Sequence, residues 1–170
     1  MTVRVADFDE KTFRNALGCF ATGVAIVTTT HPETQQPLGL TISSFNSLSM
    51  NPPLVLWSLQ NCSSLLDVYK HVPRYNIHIL SATQLTLAVQ FSQGNHTERF
   101  ANIDYTLNQY GIPVLAQECT AAYFECYNKQ QYLEGDHHIM IGQVEHCAHS
   151  ARMPLVFHAG TFDLTPNCCP

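Results

Sequence analysis

Charged side chains are scarce in this chain. Lys and Arg number 8 and Asp and Glu 13, together 12% of 170 residues, against about 25% in an ordinary soluble domain. A surface so poor in charge is expected to be covered in part, which points to a homo-oligomer. No basic run accompanies the net charge of -5, and this argues against nucleic acid or an acidic membrane as partner. No apolar stretch reaches the length of a membrane span. Asp7, Asp9 and Glu10 precede any apolar run, the reverse of a secretory signal. Cys-x-x-Cys is absent as well. The seven cysteines, Cys19, Cys62, Cys119, Cys126, Cys147, Cys168 and Cys169, are odd in number, so reduced thiols in a cytoplasmic protein are expected.

The common catalytic and nucleotide signatures are missing too. Neither Gly-x-Gly-x-x-Gly nor Gly-x-x-x-x-Gly-Lys occurs, so any nucleotide binds without a Rossmann unit or a P-loop. A serine nucleophile would lack its Gly-x-Ser-x-Gly elbow. Nine histidines are present, but only His137-His138 and His146-Cys-Ala-His149 cluster. On a strand both pairs diverge to opposite faces and no further ligand is suitably spaced, so no metal site is expected.

What is present is a polar run between two apolar ones. Six of the nine residues from Thr41 to Ser49 are Thr, Ser or Asn, and Asn51-Pro52-Pro53 closes the run. Hydroxyls and freed backbone N–H groups there need partners, either solvent or a polar planar ligand. Before it, Asp7 to Phe20 reads as a short amphipathic helix ending near Gly23, and Val24–Thr30 and Leu38–Ile42 read as paired strands. After it come a strand over Leu54–Leu59, a helix capped by Ser63 or Ser64 and running to about His71, and a strand over Tyr75–Leu80. A helix capped by Ser81 or Thr83 follows, finishing at Phe91 to Gly94.

The segment from Asn95 to Gln117 reads as irregular, with one helical turn at Thr97–Phe100. The rest reads as strands: Ala121–Gln131, then His137–His146 with His138, Met140, Gly142, Val144 and His146 on one face, then Leu155–Phe157 and Thr161–Leu164. Hairpin-like strands outnumber helices and no βα alternation appears. The whole is expected to be one mostly β domain, a closed antiparallel barrel with a few short helices attached.

Two groups of residues suggest ligand chemistry. Ser63 and Ser64, with Ser92 and Arg99, could bind an anion, or the serines could simply cap a helix. Gly135-Asp136-His137 sets a carboxylate and an imidazole at a turn, where a side chain can reach a ligand or lie in solvent.

In order and spacing, several motifs together resemble the flavin reductase-like family with the FMN-binding split-barrel fold. They are Phe13-Arg14, Phe20-Ala-Thr-Gly-Val24, Val27-Thr28, Gly39-Leu-Thr-Ile-Ser-Ser-Phe45, Pro52-Pro-Leu-Val55, Ser63-Ser64, Gly135-Asp-His137, Gly142-Gln-Val144 and Pro154-Leu-Val-Phe-His158. The resemblance implies a six-stranded Greek-key barrel that pairs into a homodimer and binds flavin near the interface. It places the Thr41–Ser47 loop, including Phe45, along the isoalloxazine ring. Thr41, Ser43 and Ser44 would face the N5, O4 and N3 edge, and the phosphate would lie near Ser63, Ser64, Phe91, Ser92 and Arg99. His137, or His138 beside it, would stand against a nicotinamide nucleotide.

The implied activity is hydride transfer from NADH or NADPH to FMN or FAD, with reduced flavin passed to a flavin-dependent monooxygenase. Such a transfer needs ring stacking more than acid–base chemistry, which agrees with the lack of paired carboxylates. A non-enzymatic FMN-binding electron carrier, and more distantly an oxidase on the same barrel, are the alternatives.

Overall fold

The computed structural model describes residues 5–116 and 119–163. Its centre is an antiparallel sheet of seven strands. In chain order after β1 (Thr22–Gly23) these are β2 (Ala25–Thr30), β3 (Pro37–Ile42), β4 (Asn46–Met50), β5 (Pro53–Gln60), β6 (Arg74–Leu80), β9 (Thr120–Glu134) and β10 (His137–His149). Across the sheet they lie β3-β2-β6-β9-β10-β5-β4. The two edge strands are therefore consecutive in sequence and only residues 43–45 separate them. A flat sheet would set them roughly 29 Å apart at about 4.8 Å per strand, whereas the connection spans at most about 14 Å. The sheet must roll until its edges meet at this bend.

The ladder itself stays open between β3 and β4. The expected mostly β architecture with short helices is present; the sheet has seven strands, and hydrogen bonds do not close it. Within this sheet, β4 is the strand missing from the sequence reading. It carries almost no buried side chain, so no apolar alternation marks it.

Inside the roll Trp57, Tyr69 and Tyr75 are fully buried. Trp57 meets both tyrosines edge-on, with ring centres 5.1 and 5.5 Å away, contacts that each contribute about 0.5–1.5 kcal/mol beyond area burial. Val55, Leu59, Leu38, Ile77 and Met140 complete this core. A second cluster of Val24, Ile26, Leu80, Ala88, Phe91, Phe100, Leu115 and Leu155 lies between the sheet and α3 (Leu85–Ser92). Gly39 permits that packing: a Cβ there would come within 2.7 Å of the Phe91 ring. The threonine face of β2 is satisfied by a hairpin the sequence reading left irregular, β7 (Tyr105–Leu107) with β8 (Pro113–Leu115). Thr28 donates to Pro113 O at 2.6 Å and Asn76 of β6 to the same carbonyl at 3.1 Å.

The remaining elements refine the expectations. α1 spans Glu10–Gly18, with Asp9 Oδ1 accepting from Thr12 N–H at 2.7 Å. It ends short of Gly23 and none of its residues is buried. α2 (Leu66–His71) starts from Leu65, so neither Ser63 nor Ser64 is its N-cap, although Ser63 Oγ accepts from Leu65 N–H at 3.3 Å. Ser81 caps the 3-10 turn Ala82–Gln84 that leads into α3. α4 is the single turn His96–Arg99. β10 has Met140 and Gly142 buried, but a bulge between Val144 and His146 leaves His146 exposed. β11 (Val156–His158) and β12 (Thr161–Asp163) do not extend the main sheet; with β1 they form a separate three-stranded one. Leu164, Cys168 and Cys169 lie outside the described residues.

Candidate active site

A cleft of about 470 Å³ opens where the rolled edges meet. It is lined by Leu40, Thr41, Ile42, Ser43, Ser44, Ser58, Leu59, Gln60, Ser63, Ser64, Arg99 and His137. Thr41, Ser43, Ser44, Ser63, Ser64, Arg99 and His137, all singled out from sequence, thus converge from four separate parts of the chain. Phe45, Ser47, Phe91 and Ser92 do not line it. Phe91 is fully buried and meets Phe100 edge-on at 4.9 Å, so its ring belongs to the core. Phe45 packs on Phe124 at 5.5 Å. Ser47 is exposed on β4, and the Ser92 hydroxyl donates back to Val89 O at 2.7 Å.

Several of the converging hydroxyls are already committed to the fold. Thr41 Oγ1 donates to Ala88 O at 2.7 Å, tying β3 to α3. Ser44 Oγ donates to Ser58 O and accepts from Ser58 N–H, both at 3.0 Å, so it sews the bend to β5. At the bend itself, what remains for a ligand is the exposed Ser43 hydroxyl and the backbone of residues 43–45, which belong to neither flanking ladder. Ser58 and Gln60 add polar groups from β5; the sequence reading placed Ser58 only in an apolar strand and ended that strand before Gln60.

Arg99 is the cation of the cleft. Its Nε donates to Gln93 O at 3.0 Å and Nη1 to Gly39 O at 2.9 Å, with Nη2 3.5 Å from Gly94 O. Burial lowers its pKa from the ordinary arginine value, yet a guanidinium stays charged at neutral pH. Three of its five N–H groups face these carbonyls. One on each terminal nitrogen remains.

His137 also lines the cleft, from the start of β10. Gly135 takes φ +58 in the turn after β9, a left-handed conformation open to glycine at little cost. Asn61 fastens that turn: its N–H donates to Asp136 O at 2.9 Å, and its Oδ1 lies 2.8 Å from His138 Nδ1. His138 is thereby turned to Asn61, while His137 faces the cleft. His137 Nδ1 lies 2.7 Å from Asp136 Oδ1, and this bond holds the Asp136 carboxyl below its ordinary pKa. With Nδ1–H donating to the carboxylate, Nε2 is left as a free acceptor.

Beside Thr41, Ile42 and Ser43 the cleft adjoins an apolar recess of about 120 Å³ walled by Val24, Phe157 and Phe162. Among the described residues no three His, Cys, Asp or Glu side chains come together as a metal site would require, and the five described cysteines are free.

The flavin reductase like domain model matches residues 17–165. The chain belongs to the flavin reductase-like family. An FMN reductase (NADH) from Agrobacterium fabrum is 41% identical over 154 residues, 91% of this chain and 85% of that protein. The reductase subunit of a flavin-dependent monooxygenase from Mycobacterium tuberculosis is 31% identical over 160 residues, covering 92% and 83%. Among solved structures, an NADH:FAD oxidoreductase from Streptomyces globisporus, in complex with NAD and FAD fragments, superposes with a TM-score of 0.85. The identity is 29%, and the match covers 99% of this flavin reductase-like chain and 100% of that one.

The cleft of the flavin reductase-like chain fits such a group. A flavin has a polar pyrimidine edge, an apolar dimethylbenzene edge and an anionic tail. The polar bend at Ser43 and Ser44, the recess at Phe157 and Phe162 and the cation at Arg99 match these three characters, the cleft and the recess sharing Thr41, Ile42 and Ser43 in their walls.

Proposed function

We propose that this chain is an NAD(P)H-dependent flavin reductase that takes FMN or FAD into the cleft and supplies reduced flavin to a flavin-dependent monooxygenase. The observation carrying this reading is the convergence of the polar bend, Arg99 and His137 on one cleft in a chain of this family. Relatives named as reductase subunits or components of flavin-dependent monooxygenases support the partner. When bound, the flavin supplies the hydride acceptor. The chain's own residues then bind and orient. The bend and the Ser43 hydroxyl hold the ring's polar edge, and donors there stabilise negative charge arriving at the ring. Arg99, with Ser63 and Ser64, holds the phosphate. His137 Nε2, fixed through Asp136, accepts an O–H or N–H of the nicotinamide nucleotide and so aligns it over the ring.

Steady-state NADH oxidation with added FMN tests this. His137→Ala is expected to lower kcat/KM for NADH about tenfold, roughly 1.4 kcal/mol of transition-state positioning. Unchanged NADH consumption on adding either FMN or FAD to the wild type would end the reductase reading.

We also infer that β3 and β4 act as one bent strand. Counted so, six strands form a closed Greek-key barrel, completed covalently through residues 43–45. The protein would work as a cytoplasmic homodimer. No helix among the described residues is long and apolar enough to cross a membrane. Phe8, Phe13, Leu17 and Phe20 on and around α1 are all at least 49% exposed, an apolar face suited to a second copy. Sedimentation equilibrium should return twice the 19.0 kDa chain mass; a monomer at micromolar concentration would contradict the dimer.

A further inference from the structure

Resting on the reading that the cleft holds a flavin, we infer that His96 is a positioning residue for the flavin phosphate: it orients the Ser64 hydroxyl so that the hydroxyl proton points into the cleft. His96 Nε2 lies 3.2 Å from Ser64 Oγ, and Ser64 lines the cleft together with Arg99. His96 and Arg99 share the single turn α4, which is held rigidly. Asn95 and Glu98 cap it reciprocally, both bonds at 3.0 Å. Gln90 Nε2 pins it to α3 through the carbonyls of Arg99 and Ala101, both at 3.0 Å. The imidazole is thus delivered from a fixed support to one particular hydroxyl.

The direction of that bond follows from where the ring proton can sit. Burial first, and the Arg99 charge second, push the His96 pKa down, so at neutral pH the ring is neutral and carries one N–H. Nδ1 is buried and has no hydrogen-bond partner among the described residues. A proton there would be a buried donor with no acceptor, the rarest and costliest arrangement for an N–H. Placed on Nε2, the proton is used and Nδ1 keeps only an unshared lone pair. Nε2–H therefore donates to Ser64 Oγ. The Ser64 hydroxyl, with an acceptor site filled from behind, is left to donate its own proton forward. A pre-oriented O–H beside a guanidinium recognises an anionic oxygen, and fixing the rotor beforehand removes an ordering cost from binding.

Fluorescence titration with FMN and with riboflavin, which lacks the phosphate, tests this. The set is the wild type, His96→Ala, His96→Gln, Ser64→Ala and the double variant His96→Ala/Ser64→Ala. His96→Ala is expected to weaken FMN about tenfold and riboflavin less than about twofold. His96→Gln, whose amide N–H can stand where Nε2–H stood, should restore most of the FMN affinity. The double variant should bind FMN no more weakly than Ser64→Ala, because the imidazole acts only through that hydroxyl. Equal losses for riboflavin and FMN, no rescue by Gln, or multiplying losses in the double variant would each overturn the positioning role while leaving the flavin site intact. A wild-type protein that bound neither FMN nor riboflavin would instead remove the flavin reading and this inference with it.

Discussion

Replacing Arg99 by Met is expected to weaken FMN binding about 100-fold while costing riboflavin no more than about threefold. The factor follows from the N–H inventory. Two N–H groups remain once the carbonyls of Gln93, Gly39 and Gly94 are supplied, and hydrogen bonds to a charged group contribute about 1.5–3 kcal/mol. A 100-fold loss is about 2.7 kcal/mol, within the reach of the pair. Methionine keeps an apolar stem but removes the charge and all five N–H donors, including those to Gln93, Gly39 and Gly94. Its structural cost falls equally on both ligands, so riboflavin reports it. Arg99→Lys keeps the charge without the planar fork and should fall between, at about tenfold. If isothermal titration gives the same loss for riboflavin as for FMN, Arg99 holds α4 against β3 and nothing more, and the anion must be placed elsewhere.

How much of this was open to reading from sequence divides along physical lines. β2, β5, β6 and β10 carry apolar or β-branched side chains with a buried face; the first three stand within one residue of where periodicity puts them, and β10 starts as expected at His137 but runs three residues further, to His149. β4 was invisible. Its Asn46-Ser-Leu-Ser-Met50 reads as loop because an edge strand facing solvent on both sides needs no apolar alternation. The hairpin of β7 and β8 escaped for a related reason. It exists to satisfy Thr28 and Asn76 from a distance of 37–85 residues in sequence, a long-range demand that no local window contains.

In the site, residue type indicated which side chains gather but not what their atoms do. Thr41 and Ser44 reach the cleft, yet their hydroxyls bond Ala88 and Ser58. Phe91 lies in the right segment but faces Gly39 and Phe100. His96 stands outside both histidine clusters and belongs to no motif in the sequence. Its bond to Ser64 spans 32 residues, and only the fold reveals it. Of the adjacent pair, His137 lines the cleft, whereas the His138 ring lies against the Asn61 carbonyl.

Acid should unfold this protein through a histidine that does not line the cleft. His78 on β6 is fully buried. Its Nε2 accepts from Leu115 N–H at 3.2 Å, and Nδ1–H donates to Ile26 O at 3.3 Å, so the neutral ring satisfies both nitrogens. Burial, opposed weakly by the Ile26 carbonyl, lowers its pKa from 6.5 to about 4. In the unfolded chain the ring takes up a proton near pH 6.5; in the folded chain it resists until about 4. Below 6.5 the unfolded state therefore binds more protons, and stability falls as pH falls. The contribution is complete above about pH 7 and gone near pH 4, a loss of about 3 kcal/mol from this ring.

Protonation would also set Nε2–H against Leu115 N–H, two donors face to face, and so loosen β8 from the sheet. Urea midpoints at pH 7.5 and 5 should show the drop. His78→Gln, which cannot titrate, should be less stable at pH 7.5 but lose markedly less between the two. A midpoint shift as large in His78→Gln as in the wild type would assign the acid lability to other groups.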